Sequence, residues 1–249
     1  MNVLELSYPR MIEIYNELGD LALADFARRG ISPETTYQCR IEDCLVECLT
    51  PPQQDPSNRS SLAGSPTQWK RLPREYRALK IPYFRAGDVR GIEVYRRFRF
   101  LGEDLPPALD SLKGRWKPVR YLGNQGEIAK RLYVCPLLLE KWPRILQTVS
   151  LSLMLVEGEL EAVRLIQGGY RAIAIGGVWM GTEGTKETGF KLIKDFSWLN
   201  LKGRTVLITF DSDREEKWQI RAAETRLSSA LRNAGALPKI VKLQPLGGR

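Results

Sequence analysis

The chain of 249 residues contains no histidine. That absence removes the Ser-His-Asp triad, the Cys-His nucleophile pair and any zinc site with imidazole ligands. Chemistry must come from carboxylates, Lys and Arg, hydroxyls, thiols or a bound hard metal. Cysteine is scarce as well. Cys39, Cys44, Cys48 and Cys135 run C-x4-C-x3-C with the last far away. A structural zinc site wants two close pairs, so this spacing favours buried free thiols in a reducing compartment. Long apolar runs are missing too. The stretch around Leu151 to Val156 is far short of the ~20 residues a membrane helix needs. The start, Met1-Asn2-Val3-Leu4-Glu5, has no basic segment followed by an apolar run. No signal peptide is expected, and a cytoplasmic protein with no membrane partner is. No G-x-x-x-x-G-K-[ST] phosphate loop occurs, so no helicase motor of that kind is expected.

What is present is positive charge, placed unevenly. The whole chain carries a net +9. Residues 1–68 are net −5, whereas residues 69–131 hold 16 basic and 7 acidic side chains and alone equal the whole excess. A local basic block suggests a polyanion partner, nucleic acid ahead of an acidic membrane surface. The plain alternative is a solvated basic surface.

Apolar positions at helical spacing, Ile14, Leu18, Leu21 and Phe26, predict one or two helices over residues 11–29, ending at Gly30. Ser32-Pro33-Glu34 reads as a fresh helix start, Ser32 capping and Pro33 in the first turn. Residues 50–68, rich in Pro and Ser, read as a linker. Val94 to Phe100 is aromatic and basic with strand-like alternation. Trp116–Leu122 and Arg131–Val134 are further strand candidates. A platform of aromatics interleaved with Arg would suit single-stranded nucleic acid. Alternation equally permits aromatics inward and Arg outward.

From residue 151 onward strands alternate with helices. Strands are expected at Leu151–Val156, Arg171–Ile175, Arg204–Phe210 and Lys239–Leu243, and helices at Leu160–Gln167, Phe190–Leu199 and Glu215–Ala234. This pattern predicts an α/β domain, a parallel four-stranded sheet with flanking helices, preceded by a smaller mixed, basic subdomain. The expected divisions are an N-terminal helical segment and linker at 1–68, the basic subdomain at 69–150 and the parallel-sheet domain at 151–249.

Ligands of such sheets sit beyond the carboxyl ends of the strands. Two acidic groups fall there. Glu157 follows the first strand, with Gly158, Glu159 and Glu161 behind it. Asp211 and Asp213 follow the third. Neighbouring parallel strands are about 4.8 Å apart, so these carboxylates can converge. Clustered carboxylates resist ionising together unless a cation neutralises them, and a hard divalent ion does so. Gly158, Gly176 and Gly177 would let backbone or phosphate approach closely. A lone Glu-Gly also fits a turn, and a lone Asp-x-Asp also fits a helix cap.

Val156-Glu157-Gly158-Glu159-Leu160-Glu161 with Phe210-Asp211-Ser212-Asp213-Arg214 resembles the Toprim domain of bacterial primases, topoisomerases and some nucleases. With Gly177-Val178-Trp179 added, it is most similar to the Toprim-like domains of plasmid and mobile-element replication proteins. The resemblance covers Leu151 to Pro245. It implies Mg2+ or Mn2+ held by Glu157, Asp211 and Asp213, which would also be the catalytic acids. Gly158, Glu161, Gly176 and Gly177 would support them. Lys113–Pro136 is similar to the segment before the Toprim core of DnaG-type primases, which contributes to template binding. The resemblance puts Arg96, Arg97, Arg99, Lys113, Arg115, Lys117 and Arg120 on that face. Gly30 to Glu34 resembles the N-terminal segment of the replication proteins. One departure stands out: the family's further acid after the last strand has no counterpart beyond Glu224.

Two readings remain open. In one, the chain is a primase-like enzyme joining nucleotides on a single-stranded DNA template, or a nuclease using the same acids. In the other, it is a non-catalytic DNA-binding replication module. A separate helicase or replication protein is a further expected partner.

Overall fold

A computed structural model describes residues 17–49, 53–54, 69–70, 73–85, 88, 90–110, 115–123, 130–185, 187–210 and 217–242. Helix α1 (Asp20–Arg29) ends where Gly30 turns left-handed, φ 65°, a conformation without steric cost only for glycine. Helix α2 (Pro33–Gln38) starts as expected, the Ser32 hydroxyl accepting from the Thr35 N–H at 3.1 Å. Strands β1 (Glu42–Leu49), β2 (Gln53–Gln54), β3 (Trp69–Lys70), β4 (Pro73–Phe84), β5 (Glu93–Phe100), β6 (Pro107–Asp110), β7 (Arg115–Pro118) and β8 (Tyr121–Gly123) follow. A 3-10 turn at Pro136–Lys141 leads into α3 (Trp142–Gln147). Then come β9 (Leu153–Val156), α4 (Glu159–Gln167), β10 (Ala172–Ala174), the two-stranded β11 (Thr182–Glu183) and β12 (Lys191–Leu192), β13 (Thr205–Thr209), α5 (Trp218–Asn233) and β14 (Leu237–Ile240).

Two sheets organise the molecule. One is antiparallel, in the order β1-β4-β5-β8; the other is parallel, in the order β10-β9-β13-β14. The mixed α/β architecture, with a parallel four-stranded sheet flanked by helices, is as the sequence predicts. Alternation along β4 and β5 sends Leu79, Ile81, Tyr83 and Tyr95 into the main core. Tyr76, Ala78 and Phe100 pack on the opposite face as a smaller cluster. A register shift between Tyr83 and Phe84 turns Phe84 into the main core as well, the usual effect of a bulge. That core is continuous from Leu18 in the N-terminal segment to Ala236 before β14. Among the described residues no helix is long and apolar enough to cross a membrane.

Several expectations need correction. The expected division at 68/69 cuts a sheet, because β1 pairs along its full length with β4. Trp116–Leu122 is two strands, not one: β7 pairs with β6, β8 with β5. The chain turns between them where the Val119 N–H donates to the Pro106 carbonyl. Arg131–Val134 contributes a single antiparallel bridge, Tyr133 to Ala174, along the edge of the parallel sheet. Phe190–Leu199 is not an α-helix but β12 followed by a 3-10 turn, Lys194–Trp198. Its buried residues Ile193, Phe196 and Leu199 recur every third position, the period of a 3-10 helix rather than 3.6. The linker reading of residues 50–68 falls mainly outside the described residues.

Candidate active site

In the parallel sheet the chain leaves β9 toward β10 on one side, then returns past β9 to β13 and continues to β14 on the other. The carboxyl ends of β9 and β13 therefore flank a topological switch point, where open α/β sheets form their binding crevice. Val156 and Thr209 are direct partners in the β9–β13 register. Glu157 is the next residue after Val156, half-exposed at this edge. Asp211 and Asp213 lie outside the described residues; in sequence they follow the buried Phe210.

The Glu157-Gly158 turn is held from three directions. The Glu157 carbonyl accepts from the Gly177 N–H at 3.1 Å, carrying the β9–β10 ladder one step beyond the strands. The Gly158 N–H donates to the Glu161 carboxylate at 3.1 Å, so the acid in the first turn of α4 satisfies the backbone donor at its start. Glu159 turns inward and is 1% exposed. Its Oε1 accepts from the Arg97 guanidinium at 2.8 Å and from the Tyr83 hydroxyl. The same Arg97 nitrogen donates to the Gly176 carbonyl at 2.7 Å. One guanidinium from β5 thus ties the turn after β9 to the turn after β10. Burial, with the neighbouring Glu159 charge, pushes the Tyr83 hydroxyl well above its usual pKa. It stays a neutral donor.

Glycines at this edge fit close packing. A Cβ at Gly176, where φ is 70°, would sit 3.0 Å from Arg97 Nη1 and 3.3 Å from the Tyr83 hydroxyl. A Cβ at Gly158 would meet the Glu161 carboxylate at 3.3 Å. Gly177 has φ 135°, closed to most side chains. Glu161, expected as a supporting acid, lies in the first turn of α4 and accepts from the Gly158 N–H.

The basic face divides. Arg96 is exposed on β5 and pairs with Glu93 at 2.6 Å. Lys117 is exposed on β7. Arg115 is in β7, Lys113 lies outside the described residues, and no side chain of either is described. Arg120 donates to the carbonyls of Phe100 at 3.1 Å and Gly102 at 2.7 Å. Arg97 and Arg99 are not on an open face. They alternate with the solvent-facing residues of β5 and point into the interior. Arg97 is committed to Glu159. Arg99 is 6% exposed and grips Asp25 of α1 through two bonds of 3.1 Å. The Tyr121 ring lies under both guanidiniums, 4.5 Å from Arg97 and 5.2 Å from Arg99.

Glu159, Tyr83, Asp25 and Tyr121 are the partners that sequence reasoning passed over. Glu159 had a local signal: it lies on the stripe of Ala162, Val163 and Ile166, all buried on α4. The others had none, since the contacts join residues 74 and 76 positions apart.

Cys39 and Cys135 are buried with their sulfurs 3.2 Å apart, and Cys44 and Cys48 pack beside the smaller cluster. Among the described residues no group of three or more Cys, Asp or Glu is arranged to hold a metal.

Residues 141–249 match the model of a family described as a domain of unknown function, DUF3854. The matched segment takes in α3 and the whole parallel sheet, beginning at Lys141 rather than at residue 151. No curated protein and no solved structure matches the chain.

Proposed function

We propose that this chain is a Toprim-like, divalent-metal-dependent enzyme that joins nucleotides on a DNA template, of the primase kind. The observation that carries the reading is the parallel register of β9 and β13, Val156 opposite Thr209. It brings the Glu157-Gly158 turn and the chain leading to Asp211-Ser212-Asp213 to one edge of the sheet, at a topological switch point.

Glu157, Asp211 and Asp213 form an all-oxygen donor set of the kind that suits Mg2+ or Mn2+. When bound, the ion would neutralise triphosphate charge and favour attack by a 3′-hydroxyl. The protein's own part is orientation. The Gly177 N–H, bonded to the Glu157 carbonyl, and the Glu161 carboxylate, bonded to the Gly158 N–H, fix the backbone beside Glu157. The buried pair of Arg97 and Glu159 keeps that turn from shifting relative to Gly176. Arg96, exposed on β5, and Lys117, exposed on β7, are the described side chains suited to contact a template. The lack of a phosphate-loop motif leaves duplex opening to a separate protein.

Incubation with single-stranded DNA, nucleotides and Mg2+ or Mn2+ tests this. New oligonucleotides that disappear in Asp211→Asn and Glu157→Gln support nucleotidyl transfer. Shortened DNA, lost in the same variants, assigns the acids to a nuclease. Salt-sensitive DNA binding with neither product makes the chain a binding module.

A further inference from the structure

The C-terminal turn of α1 carries more positive charge than its docking needs. Asp25 accepts from three arginines. Arg99 grips both of its oxygens at 3.1 Å, Arg28 reaches Oδ1 at 2.5 Å and Arg29 reaches Oδ2 at 3.1 Å. Of the three pairs, the one with Arg99 fastens α1 to the antiparallel sheet, both partners being buried, 8% and 10% exposed at their side chains. Arg28 adds little to that: its side chain is 66% exposed, and exposed ion pairs contribute little. One carboxylate and three guanidiniums leave a local surplus of two positive charges.

Arg120 adds a fourth guanidinium. It enters the same cleft from the turn before β8, and its described bonds go to neutral carbonyls. Among the described residues, Glu103 is the one other acid lining the cleft. The cavity between α1 and the sheet is about 640 Å³, larger than a bare oxyanion requires. Leu21, half-exposed at 50%, and Leu101 supply an apolar wall. The planar forks of Arg28, Arg29 and Arg120 suit the tetrahedral oxygens of a phosphate. The apolar wall suits the sugar or base attached to it.

We infer that this cleft binds the phosphate of a nucleotide or of a nucleic-acid strand, with Arg28, Arg29 and Arg120 facing the ligand. Arg99 and Asp25 hold those groups in position. The cleft lies on the interior face of β5, where Arg99 is two residues from Arg97, about 7 Å along the strand. The inference does not rest on metal-dependent chemistry, since it uses neither Glu157 nor the aspartates after β13.

Binding is measured with the full chain in a chelator, so that no divalent ion contributes. The probes are a fluorescent oligothymidylate of about twenty nucleotides and, separately, inorganic tripolyphosphate. Arg28→Ala, exposed and far from the core, should fold and melt as the parent does. It should bind about three- to tenfold more weakly, with a shallower salt dependence. Arg28→Lys should fall between the two, keeping the charge and losing the fork. A loss for both probes assigns the cleft to phosphate from either source. A loss for the oligonucleotide alone assigns it to strand phosphates, and a loss for tripolyphosphate alone to free nucleotides. Unchanged affinity for both probes in Arg28→Ala and in Arg28→Glu overturns the inference.

Discussion

Arg97 holds a buried carboxylate, a phenol and a backbone carbonyl together, and each of the three depends on its charge. Removing it leaves the buried Glu159 carboxyl without its ion-pair partner. Breaking one side of such a pair costs about 3–5 kcal/mol. Arg97→Ala should lower the free energy of urea unfolding by that order, and Arg97→Met with Glu159→Gln should recover most of it. A loss below about 1 kcal/mol in the single variant would remove the pair from the structural account. Asp25 makes a different prediction. Burial alone would raise its pKa, but the hydrogen bonds and charges of Arg99, Arg28 and Arg29 outweigh it and hold the carboxyl well below the usual range. Its folded pKa lies under its unfolded value of about 3.9. The stabilisation is therefore complete above pH ~4 and is lost as pH falls below that. The acid side of a stability–pH profile should flatten in Asp25→Asn; a profile identical to the parent's would show that the charge is not coupled to folding. The place of Glu157 at a strand end was legible because the apolar run before it lies next to it along the chain. Asp25 and Arg99 were not, because their pairing exists only after β5 and α1 have docked.

At the scale of elements, the turn after β10 is tightly constrained. Gly176 combines a left-handed backbone with a Cβ position filled by Arg97 and Tyr83. Gly176→Ala should cost about 1–3 kcal/mol in backbone strain and also displace Arg97. The same variant should reduce any product made by the Glu157 site more than Gly169→Ala does. Gly169 is left-handed too, but open space surrounds its Cβ position. Equal effects of the two substitutions on product would disconnect Arg97 from the site. Periodicity read α1, α4, α5 and the parallel strands because each has a long enough apolar stripe to show its repeat. It failed between Phe190 and Leu199, where a three-residue repeat over a short span passes for a helical one. It failed again at Trp116–Leu122, where a mid-strand turn leaves no glycine to announce it.

For the molecule as a whole, the main core ties residues from α1 to β14 into one body. Unfolding should be a single transition, with backbone and aromatic signals superimposing. Two separated transitions would restore the division near residue 150 that composition suggests. That division was legible as a change from strands to strand–helix alternation. What it missed is closure: β1 joins β4 across the segment read as a linker, and Tyr133 joins the edge of the parallel sheet. Local sequence carries no mark of either.

The two buried thiols give that unity a clock. Cys39 closes α2 and Cys135 precedes α3, and burial pushes the Cys39 thiol well above its usual pKa. Thiolate is the reactive form, so a thiol reagent should modify Cys44 and Cys48 first and leave this pair protected. The slow phase of labelling then measures how often the N-terminal helices separate from the rest of the chain. At saturating reagent that rate should become independent of reagent concentration, a direct reading of the opening rate of the joint.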